Sequence, residues 1–235
     1  MKLPNVFCVV VVLVLAVVIG FSLEEHAYAK QDILRLNKPW PESDELDFLP
    51  RYCWARKQLQ LVGYENLEDL EPGIRDEVIR WKEYLGEDVF LHVHHYCAGL
   101  NRLRRYWLSV ERDGRTVGED GRLTGKQAIT LKQALRGLKY VRNYYRKAKS
   151  PLYVEDLYYT AVANWQLGDV RKAISDLMLV VKEKPDYAAA YITLSKIAEE
   201  AGNVKDAIEV VKLGIKNTGG DSSLRDRLKE LEGNN

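Results

Sequence analysis

The sequence predicts an all-α protein: a small helical module followed by a superhelix of helix-turn-helix repeats. Three observations carry this prediction. Apolar residues recur at spacings of three and four through most of the chain, the mark of one-faced helices. Glycine and proline fall between the periodic stretches, where helices have to stop. From residue 151 onward the pattern returns every 34 residues. The composition, 46% hydrophobic and 29% charged with a formal net charge of +1, is that of an ordinary globular chain. Nothing in that overall balance points to nucleic acid or to a membrane surface.

Residues 1–29 have the layout of a secretory signal peptide. Lys2 precedes an apolar run of 16 residues, Val6 to Phe21, and Ala27-Tyr28-Ala29 supplies a small-x-small cleavage site before Lys30. The alternative is an uncleaved inner-membrane anchor over residues 6–21. A spanning helix needs about 20 apolar residues, however, and this run is short. Export predicts a periplasmic or secreted protein, membrane-associated only if the signal stays. Cleavage would remove Cys8 and leave Cys53 and Cys97, which an oxidising compartment would favour as a pair.

The N-terminal helical module is expected over residues 30–92. Pro39-Trp40-Pro41 opens it irregularly, and Pro50 suits the first turn of a helix running to about Leu61. After a polar connector, Ile74, Val78, Trp81 and Leu85 share one helix face, and Gly86 stands where a C-cap glycine belongs. Residues 93–150 read as two helices, about Val93 to Glu111 and Thr124 to Lys149, with a loop inserted at 112–123. Thr124 and Gln127 have the spacing of a capping box.

The next stretch, 151–219, repeats. Leu167-Gly168-Asp169 returns as Ala201-Gly202-Asn203, Ala173-Ile174 as Ala207-Ile208, and Pro151 precedes Pro185 by the same 34 residues. Over this stretch the chain resembles the tetratricopeptide repeat family, with two clear units and one degenerate unit, 93–150, ahead of them. The small position of the first helix is taken by Ala161 or Ser195, the turn glycines are Gly168 and Gly202, and the paired helices would touch at Ala173 and Ala207. Gly219 stands where the second unit's closing proline would be. Residues 220–235 read as a capping helix and tail, with Asp221-Ser222-Ser223 at the helix start.

The resemblance implies a concave wall lined by first-helix positions: Glu155, Tyr158, Val162, Trp165 and Gln166 in one unit, then Ala189, Ile192, Lys196, Glu199 and Glu200 in the next. Such a wall would bind a protein or peptide, and Trp165 could instead pack between repeats. The Lys/Asn clamp by which some family members hold a C-terminal carboxylate is absent, because Tyr158 and Val162 stand in its place. The function this implies is an exported scaffold assembling or stabilising an envelope complex, such as a pilus, secretion or polysaccharide apparatus.

Two further features bear on function. Residues 101–149 hold 14 lysines and arginines against 4 acids. With Tyr140, Tyr144 and Tyr145 interleaved among Arg142, Arg146 and Lys147, this is either a surface for an acidic partner or the solvated faces of two helices, balanced by acidic neighbours. His92, His94, His95 and Cys97 could serve a metal- or cofactor-carrying protein, since imidazole and thiolate ligate zinc and copper. Yet His92 and His94 do not share a helix face, so a Cys53–Cys97 disulfide beside packed histidines, or plain buried thiols, are the other readings. Catalytic motifs are absent: there is no G-x-S-x-G, phosphate loop or zinc-protease helix. The expectation is no enzyme, no cofactor and no nucleic-acid partner.

Overall fold

The computed structural model describes residues 41–147 and 149–233. The expected signal or anchor therefore lies outside the described residues. Within them the protein is all-helical, with nine α-helices. None of these is long and apolar enough to cross a membrane.

The N-terminal module holds α1, Arg51–Val62, and α2, Pro72–Leu85. Pro50 precedes α1 and its carbonyl accepts from the Cys53 N–H, so the proline sits where a missing donor costs nothing. Gly86, at φ +83°, ends α2 and starts α3, Glu87–Asp113, in a single residue. The expected boundary at 92/93 thus falls inside a helix, which begins at Glu87 rather than Val93. Glu87 and Asp88 explain the earlier start, since carboxylates in a first turn suit the positive end of the helix dipole.

Helix α3 pairs with α4, Gly125–Lys147, around a connection carrying one antiparallel bridge, Val117 to Leu123. The capping box expected of Thr124 and Gln127 does not form. Gln127 instead reaches back across the connection, accepting from the Thr116 N–H and donating to the Gly114 carbonyl at 2.9 Å each. A buried amide that satisfies both its groups on a loop fixes that loop's path.

Beyond Pro151 come α5, Leu152–Gln166, α6, Val170–Glu183, α7, Ala188–Glu200, and α8, Val204–Asn217. The second helices of the two hairpins, α6 and α8, match at an offset of 34, whereas the first helices, α5 and α7, start 36 residues apart and end 34 apart. Gly168 and Gly202 turn at φ +87° and +79°, a region where a Cβ would be strained. Ala173 and Ala207 are both 0% exposed. The final helix, α9, Ser222–Gly233, is capped by Asp221, whose Oδ1 accepts from the Ser223 and Leu224 N–H groups.

The core is built in three pools. One joins α1 to α4 and reaches Leu152 and Ala163. A second lies among α5, α6 and α7, and a third among α7, α8 and α9. Each hairpin therefore buries its apolar stripe only by borrowing the next one.

Candidate functional site

A groove of about 920 Å³ runs between α3 on one side and α5 with α7 on the other. Tyr158, Val162 and Trp165 lie at i, i+4 and i+7, so they share one face of α5. Ile192 and Lys196 follow on α7 at the 34-residue offset, with Ala189 and Glu200 beside them. The facing wall is Leu100, Leu103, Trp107 and Leu108 of α3, closed at one end by Phe48-Leu49-Pro50. Phe48, Trp107 and Leu108 are 68%, 42% and 46% exposed, so the wall presents apolar surface to solvent.

Most of the expected concave residues therefore come together: Tyr158, Val162, Trp165, Gln166, Ile192 and Lys196 all line the groove. Glu155 and Glu199 do not. The Glu155 carboxylate accepts from the buried Tyr96 hydroxyl at 3.5 Å, under a different cleft. Glu199 is drawn away by Arg227 of α9, which also donates to the buried Ser195 hydroxyl.

Hydrogen bonds hold the groove's polar rim. Trp165 Nε1 donates to Glu200 Oε2 at 2.9 Å, so the indole both lines the groove and ties α5 to α7. Gln166 accepts from the Tyr106 hydroxyl through its side chain, at 2.9 Å, and from Arg115 through its backbone carbonyl. Arg104 stacks over the Phe48 ring at 4.1 Å.

Sequence reasoning missed the α3 wall. A readable signal was present: Trp107 and Leu108 are adjacent, and neighbours on a helix point about 100° apart, so both cannot face one core. Phe48 and Leu49 carried no comparable signal.

The basic surface is divided differently from the expectation. Arg142 is no part of an open cationic face. Its Nε donates to Asp156 Oδ2 at 2.8 Å, its Nη1 lies 3.9 Å from Asp176, and Asp156 is 0% exposed. Burial raises the Asp156 carboxyl to about 6, and the charge and hydrogen bond of Arg142 oppose that rise. Arg146 instead joins Lys149, Lys182 and Lys184 around a second cleft of about 900 Å³, with Glu155 and Tyr187 in its lining. Glu155 is itself shifted upward by burial, against the opposing Tyr96 hydrogen bond and Lys184 charge. Lys147 is the last residue of α4, beside Arg146 in sequence.

Cys53 and Cys97 are joined by a disulfide, with Cα atoms 5.7 Å apart. It pins α1 to α3 and removes both sulfurs from any ligand set. Of the histidines beside it, His94 and His95 lie 4.1 Å apart ring to ring. His92 stacks on Tyr144 at 4.4 Å, and His95 lies 3.9 Å from the Tyr140 ring. His94 Nδ1 lies 2.8 Å from the Leu91 carbonyl. Burial, with the charges of Arg56 and the other histidines, lowers its pKa to about 4. Among the described residues, no three His, Cys, Asp or Glu side chains are gathered as a metal ion would need.

In comparison with known proteins, no family model matches this chain and no curated protein matches it. The groove therefore stands on its geometry alone.

Proposed function

We propose that the chain is an exported scaffold of tetratricopeptide type, holding a protein partner of the cell envelope by an apolar segment laid in the groove. The observation carrying this reading is that two indoles, Trp107 of α3 and Trp165 of α5, both line an open apolar channel of about 920 Å³. Tryptophan is the commonest anchor of interface hot spots, and a channel of this kind is how helices and extended peptides are gripped. The tetratricopeptide reading rests on the 34-residue offset of the two hairpins, with their matched turn glycines and buried alanines. Arg104, Arg115 and Lys196 stand at the rim against Glu111 and Glu200, and Glu200 is already engaged by Trp165. The segment that fits best is therefore apolar at its anchors and acidic at a flank. The metal-carrying alternative is not taken further, because His92 and His95 lie against tyrosine rings and His94 Nδ1 is engaged at the Leu91 carbonyl.

The test places a photo-crosslinking residue at Ile192 in the full chain and maps the captured segment. A synthetic peptide of that segment is then titrated against wild type and Trp165→Ala. The expected loss is at least about tenfold, since truncating a central aromatic anchor commonly costs about 2 kcal/mol or more. Loss of the helical circular dichroism signal would assign Trp165 to the core between hairpins. An unchanged titration with the fold intact would remove the groove from binding.

A further inference from the structure

The groove runs along the helices that line it. Tyr96 of α3 meets Glu155 of α5, and Tyr106 meets Gln166 further on, so α3 and α5 point the same way. Tyr158 meets Thr193 and Trp165 meets Glu200, so α7 points with them. The lining extends from Leu100 to Glu111 on α3 and from Ala189 to Glu200 on α7. Each stretch covers about 16 Å, or roughly three helical turns.

The lining helices spend their backbone N–H and C=O groups on themselves, so the groove offers no strand edge to pair with. Polar side chains within it are committed as well. The Tyr158 hydroxyl lies 3.4 Å from Thr193 Oγ1, which itself donates to the Ala189 carbonyl. Trp165 is bonded to Glu200, Gln166 accepts from Tyr106, and Arg115 donates to the Gln166 carbonyl. An extended segment laid between these helices would aim its own N–H and C=O groups sideways at side chains such as Leu100, Leu103, Val162 and Ile192, which cannot meet them. A helical segment meets its own. What the groove leaves open is charge. Arg104 of α3 and Lys196 of α7 form no ion pair among the described residues, and neither does Glu111. With Arg115 the cations outnumber that one carboxylate, since Glu200 is held by Trp165.

We propose, resting on the groove reading above, that the partner enters as an amphipathic α-helix and not as an extended strand. Its apolar residues, at i, i+4, i+7 and i+11, lie against the groove, and carboxylates on both sides of that stripe meet Arg104 and Lys196. Such a stripe covers the same three turns as the lining. The two cations belong to different helices, so an acid on each flank of the stripe satisfies them separately.

The probes are two synthetic peptides of identical composition, built from leucine, glutamate and alanine. One carries leucines at i, i+4, i+7 and i+11 flanked by glutamates, and in the other the leucines stand at every second position. At about 14 residues isolated helices are marginal, so the first peptide should be mostly unfolded when free. Each is titrated calorimetrically into the full chain, and the circular dichroism of the mixture is compared with the sum of its parts. The helical isomer should bind at least about tenfold more tightly, because only it satisfies its backbone in the groove, and mixing should add helical signal. Lys196→Glu changes an exposed side chain and should keep the wild-type fold. It should weaken the glutamate-flanked peptide and favour a version carrying lysines in place of the glutamates. Equal or tighter binding by the alternating isomer, or binding without gain of helix, would overturn the inference and leave the groove reading standing. Unchanged affinity in Lys196→Glu would overturn the acidic flanks. Absence of binding by both isomers at millimolar concentration, or binding that a folded Trp165→Ala leaves unchanged, would instead remove the groove reading itself.

Discussion

The two halves of this molecule are held together by different means. From α5 to α9 the links span about one repeat: Trp165 reaches Glu200, Tyr158 meets Thr193, and Asn217 donates to the Tyr191 hydroxyl. From residue 41 through α4 they are long-range and specific. Cys53 bonds Cys97 across 44 residues. Glu45 holds Arg105 and Asn101 from 60 and 56 residues away. A repeated half takes its shape from small residues returning at fixed intervals. The other half takes it from single pairs, each of which has no substitute.

That difference predicts where the molecule is brittle. The largest effect should come from Glu45→Ala, which removes the buried carboxylate that both Arg105 and Asn101 bond. Loss of one member of a buried pair costs about 3–5 kcal/mol, and urea melts would register it as a lower midpoint. Cys53→Ser with Cys97→Ser should cost about 4 kcal/mol in the chain-entropy picture for a loop of this size. Melts with and without reductant should reproduce the difference in wild type and abolish it in the double variant. If α5–α9 melts together with α1–α4 in both experiments, the two halves form a single cooperative unit and the contrast drawn above fails.

Acid separates the halves by sign. For Glu45, burial by itself would raise the pKa, but hydrogen bonds from Arg105, the Glu42 N–H and Asn101, with the Arg105 charge, hold it at about 2, below 4.5. The folded state then carries fewer protons than the unfolded one across that window, so stability falls as pH drops from 4.5 towards 2. Asp156 behaves oppositely. Its folded pKa is raised from 3.8 to about 6, so the folded state holds the extra proton and stability falls as pH rises across that window. Burial also raises Glu155 and Asp176, in the same sense. Relative to Asp156→Asn, wild type should therefore lose stability between these two pH values. A pH-independent difference in melts of the two proteins would refute the assignment.

The smallest effects compare the two kinds of helix crossing. Ala173→Leu overfills a site that is 0% exposed, and Gly137→Ala drives a Cβ against the His95 backbone. Each should cost about 1–3 kcal/mol by overpacking. For Gly137→Ala the ordinary helix preference for alanine offsets up to about 1 kcal/mol. A Gly137→Ala variant more stable than wild type would mean that α3 and α4 can separate without penalty.

The same contrast decides what could be read without coordinates. The helices after Pro151 were legible because glycine turns and buried alanines recur, and the cysteine pair because only two cysteines follow the apolar run at residues 6–21. The start of α3 was not legible, since a one-residue elbow at Gly86 leaves no polar gap to see. Which acids balance Arg142 was not legible, because Asp156 and Asp176 sit in the next two helices and counting charges along a segment cannot pair them across a turn. Half of the groove was legible from the repeat register. Its other wall, on α3, obeys no register at all.

Because Trp107 and Trp165 both line the groove, the molecule carries its own optical reporter. Trp107 is 42% exposed and Trp165 is partly exposed, whereas Trp54 and Trp81 pack against the N-terminal core. Anything seated in the channel would strip water from the two groove indoles and shift their emission to shorter wavelength. It would also compete for the Glu200 carboxylate that now lies 2.9 Å from one of them. Occupancy could thus be followed in unlabelled protein, with Trp107→Phe and Trp165→Phe separating the contribution of each wall.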